Sequence, residues 1–220
     1  MNNYLLLNSS NIFLKKCIAF KANLDKKFLS SLNNPNHAFT YLRSTGAVLI
    51  GGGINSEGFT SSSRFAFAIN SKKAIKLSKS FAYAAQNKNE FKILTNYKSP
   101  LLPKIYDADP YFKWIEVELV RPLKSRAEFL QRVGFSMKSL MMFICKCMNR
   151  SPNYYLNYYE DNDPEKYEQH EDISETEFAK NLFDLYKQTN LNLVEFTDHE
   201  NLGINSEGNI VLLDLGVINK

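Results

Sequence analysis

At 220 residues, 44% hydrophobic and 13% aromatic, the chain suffices for one large domain or two small lobes and is too apolar to be disordered throughout. Its net charge of +4 comes without a basic block, which fits a solvated surface with slight anion affinity and argues against a nucleic-acid partner. Cys17, Cys145 and Cys147 cannot build a disulfide framework and lack zinc spacing, no apolar run reaches membrane-spanning length, and Tyr4–Leu7 is too short for a signal peptide, so a reducing cytoplasm is expected, with no membrane partner.

In the first forty-one residues Ile12-Phe13-Leu14, Cys17-Ile18, Phe28-Leu29 and Leu32 recur at roughly helical spacing, predicting one or two short helices. Asn33-Asn34-Pro35-Asn36 has the turn chemistry expected to end them. The Lys15-Lys16 and Lys26-Lys27 pairs read as exposed helix faces. Ala47–Ile50 is an apolar strand, followed by Gly51-Gly52-Gly53 and by the small, polar run Gly58 to Arg64. Backbone N–H groups around Ser62 and Ser63 can approach phosphates closely, because glycine and serine leave room. No Gly-Lys-Ser/Thr follows, so this is not a Walker A loop. Phe65–Ile69 and Lys73–Leu77 then read as two strands joined at Asn70-Ser71. Lys76 lies between Ile75 and Leu77 and points to the opposite face from both. Fourteen positions later Glu90 falls on a helix expected from about Phe81 to Leu94, where its carboxylate can meet that lysine.

Trp114 to Val120 alternates strictly, with Ile115, Val117 and Leu119 on one face, and predicts a half-buried strand entered through a turn at Pro110 and ended by Pro122. Ser125-x-x-Glu128 opens a helix with a capping box. Phe135 to Arg150 is a Met- and Phe-rich helix of core-filling character, and Asn153 to Asp172 a polar, Tyr-rich acidic insert. Ser174-x-x-Glu177 is expected to cap one more helix, with Phe178, Leu182, Leu185 and Tyr186 along one face. The hexapeptide Gly-Ile-Asn-Ser-Glu-Gly occurs at Gly53–Gly58 and again at Gly203–Gly208, which reads as one turn chemistry used in two hairpins. Behind the second, Ile210–Leu213 is a buried strand that delivers Asp214-Leu215-Gly216. Asn201 before that hairpin and Asp214 after it offer an amide oxygen and a carboxylate, both hard ligands suited to Mg²⁺.

The phrases Ser62-Ser63-Arg64, Ala74-Ile75-Lys76-Leu77, Ala85-Gln86-Asn87-Lys88-Asn89-Glu90 and Trp114-Ile115-Glu116-Val117-Glu118 occur in an order that resembles the protein-kinase-like fold. The likeness runs from about Ala47 to Gly216 and is closest to small, divergent kinase-like proteins of bacteria and phages. It implies an α+β, two-lobed fold. The expected parts are an N-terminal helical extension over 1–41, a small antiparallel-sheet lobe over 42–120 and a truncated helical lobe over 121–220. It also implies a Mg-ATP site in the cleft between the lobes. There Lys76 would lie on the α- and β-phosphates, Glu90 would orient it, the backbone from Glu118 to Val120 would face adenine, and Asn201 and Asp214 would hold Mg²⁺.

Two departures qualify the chemistry. Kinases carry a catalytic Asp five positions before the metal-binding Asn, and Phe196 stands there. Asp198 is the candidate replacement base, with His199 an alternative and Glu195 a poorer one. The chain also stops four residues after Gly216, without an activation segment or Ala-Pro-Glu. Phosphotransfer is therefore expected to be weak or altered. The alternative is a non-catalytic pseudokinase scaffold acting through protein contacts. The first forty-one residues either pack on the small lobe or bind a protein partner.

Overall fold

The hairpin predicted over Phe65–Leu77 forms and becomes the middle of a sheet. The computed structural model describes residues 21–52, 63–81, 84–149 and 172–216. The described chain is α+β and falls into two compact units. One takes the described residues up to Phe91 together with Lys104–Leu119, and the other takes Lys92–Pro103 and the described residues from Val120 onward.

The first unit holds helices α1 (Lys26–Ser31) and α2 (Pro35–Ser44) and strands β1 (Val48–Gly51), β2 (Arg64–Ala68) and β3 (Lys73–Ser78). Helix α3 (Ala85–Asn96), of which the residues to Phe91 belong here, and strands β4 (Ile105–Ala108) and β5 (Trp114–Glu118) complete it. The five strands are antiparallel in the order β1-β2-β3-β5-β4. Register fixes the faces: Ala66 pairs with Lys76 and Lys76 with Ile115, while Phe67 pairs with Ile75 and Ile75 with Glu116. Phe67, Ile75, Leu77 and Trp114 therefore share one face, and α1 and α2 cover it with Leu29, Ala38 and Leu42. Phe39 of α2 seals this layer against Phe65 and Phe67, with ring centroids 4.7 and 5.3 Å apart.

Two expectations are corrected here and one is extended. Asn33–Asn36 follows the end of α1 at Ser31, as expected, but it also opens a further helix. Asn34 caps the start of α2, its side chain accepting from Asn36 N, and Pro35 takes the first-turn position where a missing N–H costs nothing. Strand β5 is not half-buried, because all five residues are buried and the chain leaves the strand after Glu118. The strand lies between β3 and β4, and α1 and α2 cover its Trp114–Glu116 side. Lys26, read as exposed, forms ion pairs with Asp107 at 2.7 Å and with the buried Glu116; Lys27 is exposed as expected.

The second unit contains β6 (Arg121–Pro122), α4 (Arg126–Val133), α5 (Met137–Cys147), α6 (Glu177–Thr189), β7 (Leu202–Ile204) and β8 (Ile210–Leu212). Ser125 Oγ accepts from Glu128 N at 3.2 Å as the capping box requires, while the Glu128 carboxylate reaches back to Lys124 N instead of Ser125. Helix α6 starts two residues later than expected, with Thr176 and not Ser174 as its cap. Phe129, Phe135 and Phe178 pack edge to face, and Leu140, Ile144, Leu182, Leu185 and Phe196 are buried. Cys145 and Cys147 are free thiols. Among the described residues no helix is long and apolar enough to cross a membrane. Ser62, Cys17, the Lys15-Lys16 pair, the first hexapeptide and nearly all of the acidic insert lie outside the described residues.

Candidate functional site

In the first unit the predicted pairing of Lys76 and Glu90 is present. Lys76 projects from the face of β3 opposite Ile75 and Leu77, and its Nζ donates to Glu90 Oε1 at 2.5 Å. Glu90 is fully buried on α3. Its second oxygen, Oε2, accepts from Arg64 Nη1 at 2.5 Å. Arg64 opens β2 and pairs with Ser78, two residues beyond Lys76, so it lies on the same sheet face. Asn87, one helical turn before Glu90, completes the cluster. Its Oδ1 accepts from Arg64 Nη1 at 3.2 Å, and its Nδ2 donates to the carbonyls of Lys76 and Phe112 at 3.2 and 3.0 Å. Burial alone would push the Glu90 carboxyl up. The charges and hydrogen bonds of Lys76 and Arg64 outweigh it and hold the pKa at about 2, against an ordinary 4.5.

Arg64 and Asn87 are the residues that the sequence reading did not single out as site members. The signals were there in hindsight: Asn87 and Glu90 stand at i,i+3, and Arg64 alternates onto the Lys76 face once the hairpin register is known. Ser63 donates its hydroxyl to Gln86 Oε1 and accepts Lys79 N at its carbonyl, at 3.0 Å, so it fastens the strand entrance to α3. Glu118 is buried; its N–H goes to Lys104 O at 2.7 Å and its carboxylate accepts from Lys104 N at 3.2 Å. The next N–H, of Leu119, goes to Lys72 O at 2.8 Å. These two N–H donors are therefore already engaged within the protein.

In the second unit the structure brings Asp198, Asn201 and Asp214 into one neighbourhood. Strands β7 and β8 pair Leu202 with Leu212, and one step further out Leu213 N donates to Asn201 O at 2.8 Å. Asn201 and Asp214 thus stand together at the end of the hairpin opposite its Asn205–Gly208 turn. Asn201 Nδ2 donates to Glu195 O at 2.7 Å, which fixes the amide so that its oxygen is the group left to present. Asp214 sits in the left-handed region at φ 54°, a conformation that aspartate tolerates better than most residues. Val120 packs against Gly203, where an added Cβ would lie 2.4 Å from Val120 Cγ1 and 2.9 Å from Arg121 O; only glycine fits.

Asp198 has a structural duty of its own. Its Oδ1 accepts from Glu200 N at 3.0 Å and lies 3.3 Å from His199 Nδ1, capping the short turn His199–Asn201. Its side chain is 57% exposed. Phe196, where a base would be expected, is buried in the core. Among the described residues no three His, Cys, Asp or Glu side chains cluster as a metal site. Asn201 and Asp214 would give a Mg²⁺ ion two hard oxygen ligands. That donor set fits magnesium, which commonly completes its shell with water and substrate phosphate.

Comparison with family models, with curated proteins and with solved structures gave no match for this chain.

Proposed function

We propose that the chain binds a nucleotide as its magnesium complex, in a kinase-like arrangement. Lys76 supplies an ammonium for phosphate oxygens, and the phosphate contact expected at Ser62 and Ser63 is part of the same proposal. Glu90 positions the lysine, and the segment from Glu118 to Val120 meets the base. Asn201 and Asp214 are the proposed Mg²⁺ ligands. The observation that carries this reading is the Lys76–Glu90 ion pair, a strand lysine held at 2.5 Å by a fully buried helix carboxylate. Such a pair presents a lysine with fixed aim, and a bound divalent cation supplies the charge that neutralises the phosphates.

Phosphotransfer is weak or altered in this reading, with Asp198 as the candidate base for an acceptor hydroxyl. A second reading, a non-catalytic scaffold that acts through protein partners, is favoured by Phe196, which lies in the core and has no proton-accepting group. Thermal unfolding with and without Mg-ATP, in wild type and Asp214→Asn, separates the two. Ligand at a hundred times its dissociation constant stabilises by about 2.7 kcal/mol. A shift that requires Mg²⁺ and vanishes in Asp214→Asn supports the nucleotide site. No shift at millimolar ATP leaves the scaffold, and Asp198→Ala then has no turnover to remove.

A further inference from the structure

We infer that Arg64 is the permanent counter-ion of Glu90, a positioning residue that leaves Lys76 the releasable partner of the pair. The geometry divides the carboxylate between two donors: Oε2 belongs to Arg64 Nη1 and Oε1 to Lys76 Nζ, each at 2.5 Å. The two donors are not equivalent. Arg64 is 7% exposed and Lys76 15%. A guanidinium is planar, always charged and weakly hydrated, which suits a buried and lasting pair. Asn87 is fully buried and accepts from Arg64 Nη1, the same nitrogen that donates to Glu90. Lys76 carries its charge on a flexible stem, and its bond to Glu90 is one of several that an ammonium can make at once.

The consequence concerns what happens when an anion arrives. A buried carboxylate with a single counter-ion resists losing it, because an uncompensated charge away from water is strongly unfavourable. With Arg64 on the second oxygen, Lys76 can turn its hydrogen bonds toward a phosphate while Glu90 stays neutralised and in place. Arg64 also ties the first residue of β2, where the Gly- and Ser-rich run ends, to the helix that carries Glu90. The phosphate part of this inference rests on the nucleotide reading; the ranking of the two cations does not.

The test uses the full chain and four variants: Arg64→Gln, Lys76→Met, Glu90→Gln and Arg64→Gln/Glu90→Gln. Without ligand, Arg64→Gln is expected to lower Tm more than Lys76→Met, because only the former strips the deeper donor from Glu90 and Asn87. A Lys76→Met chain that unfolds as early as Arg64→Gln, or earlier, overturns the inference. With Mg-ATP, Arg64→Gln is expected to bind at least tenfold more weakly, since Lys76 must then neutralise Glu90 alone. Removing the carboxylate charge in the double variant should recover several-fold of that affinity. A purely structural arginine would show no such recovery, and a double variant no tighter than Arg64→Gln also overturns the inference. Should wild type itself fail to bind Mg-ATP, the nucleotide reading falls, and the ligand-free Tm order alone decides the role of Arg64.

Discussion

Two buried glutamates lie on opposite faces of the same sheet, and each is neutralised by two cations. Glu116 on β5, 1% exposed, faces the helical layer and meets Lys26 of α1 and Lys73 of β3, whose side chains are 36% and 35% exposed. Lys26 also reaches Asp107, and Lys73 lies over the Tyr106 ring at 4.3 Å. This cluster fastens α1 to the sheet with ammonium groups that remain in touch with water. Glu90 on the other face is buried with Arg64 and Asn87, and only Lys76 approaches solvent. One carboxylate and two cations make a surface latch in the first place and an aimed lysine in the second. What separates them is whether water can replace a lost partner.

The largest expected effect exploits that distinction directly. Glu90→Ala strands a buried guanidinium and a half-sheltered ammonium, and should destabilise the fold by about 3–5 kcal/mol. Glu116→Ala releases two lysines that can hydrate, and should lose about 1–2 kcal/mol. Urea unfolding of both variants checks the ranking, and equal losses would erase the contrast.

Acid sharpens it next. The folded-state pKa of Glu90 is depressed to about 2 from 4.5, so the folded protein binds fewer protons than the unfolded chain below neutrality. Its stabilisation is complete above pH 4.5 and is lost as pH falls towards about 2. Glu128 of α4 contributes to the same acid limb, because hydrogen bonds from Arg121 outweigh burial and hold its carboxyl at about 2. Glu90→Gln and Glu128→Gln should therefore each flatten the loss of Tm between pH 4.5 and 2. An acid limb unchanged in Glu90→Gln would show that the carboxylate is not held as the geometry requires.

Much of this was legible in the sequence, and what was missed has a physical cause. Strand alternation put Lys76 on the correct face of β3, and fourteen residues sufficed to bring Glu90 back to it. The hairpin that joins Asn201 to Asp214 was readable from the turn chemistry of Asn205–Gly208. Arg64 escaped because an arginine after a serine run looks like the end of a loop, and its partner is fixed by register and not by spacing. Glu116 and Glu118 made β5 look half-solvated, since alternation cannot report that the polar face is covered by helices contributed from elsewhere in the chain. Asn34-Pro35 follows one helix and opens another, and its turn chemistry alone signals only the first role, because the same residues serve turns and first turns of helices. Pro122 signals the end of a strand, whereas the allocation of Lys92–Pro103 to the second unit depends on contacts that no local pattern encodes.

The smallest effect belongs to the latch and appears in alkali. Burial would lower the Lys26 pKa, but hydrogen bonds and charge from Asp107 and Glu116 prevail and raise it above 10.5. A raised lysine means that the folded state keeps its proton longer than the unfolded chain. Its contribution is therefore complete below pH 10.5 and fades as pH climbs through the folded value. With the ammonium about a third exposed, solvent screening limits the effect to less than about 1 kcal/mol. Tm measured from roughly pH 9 to pH 11.5 should fall more steeply in wild type than in Lys26→Met, since those values bracket an ordinary lysine. Glu116→Ala should lessen the same slope, and Glu90→Gln should not touch it, because Lys26 and Glu90 serve opposite faces of the sheet. If Glu90→Gln altered the alkaline slope as much as Lys26→Met, the two clusters would be one electrostatic system, and the separation between latch and site would be lost.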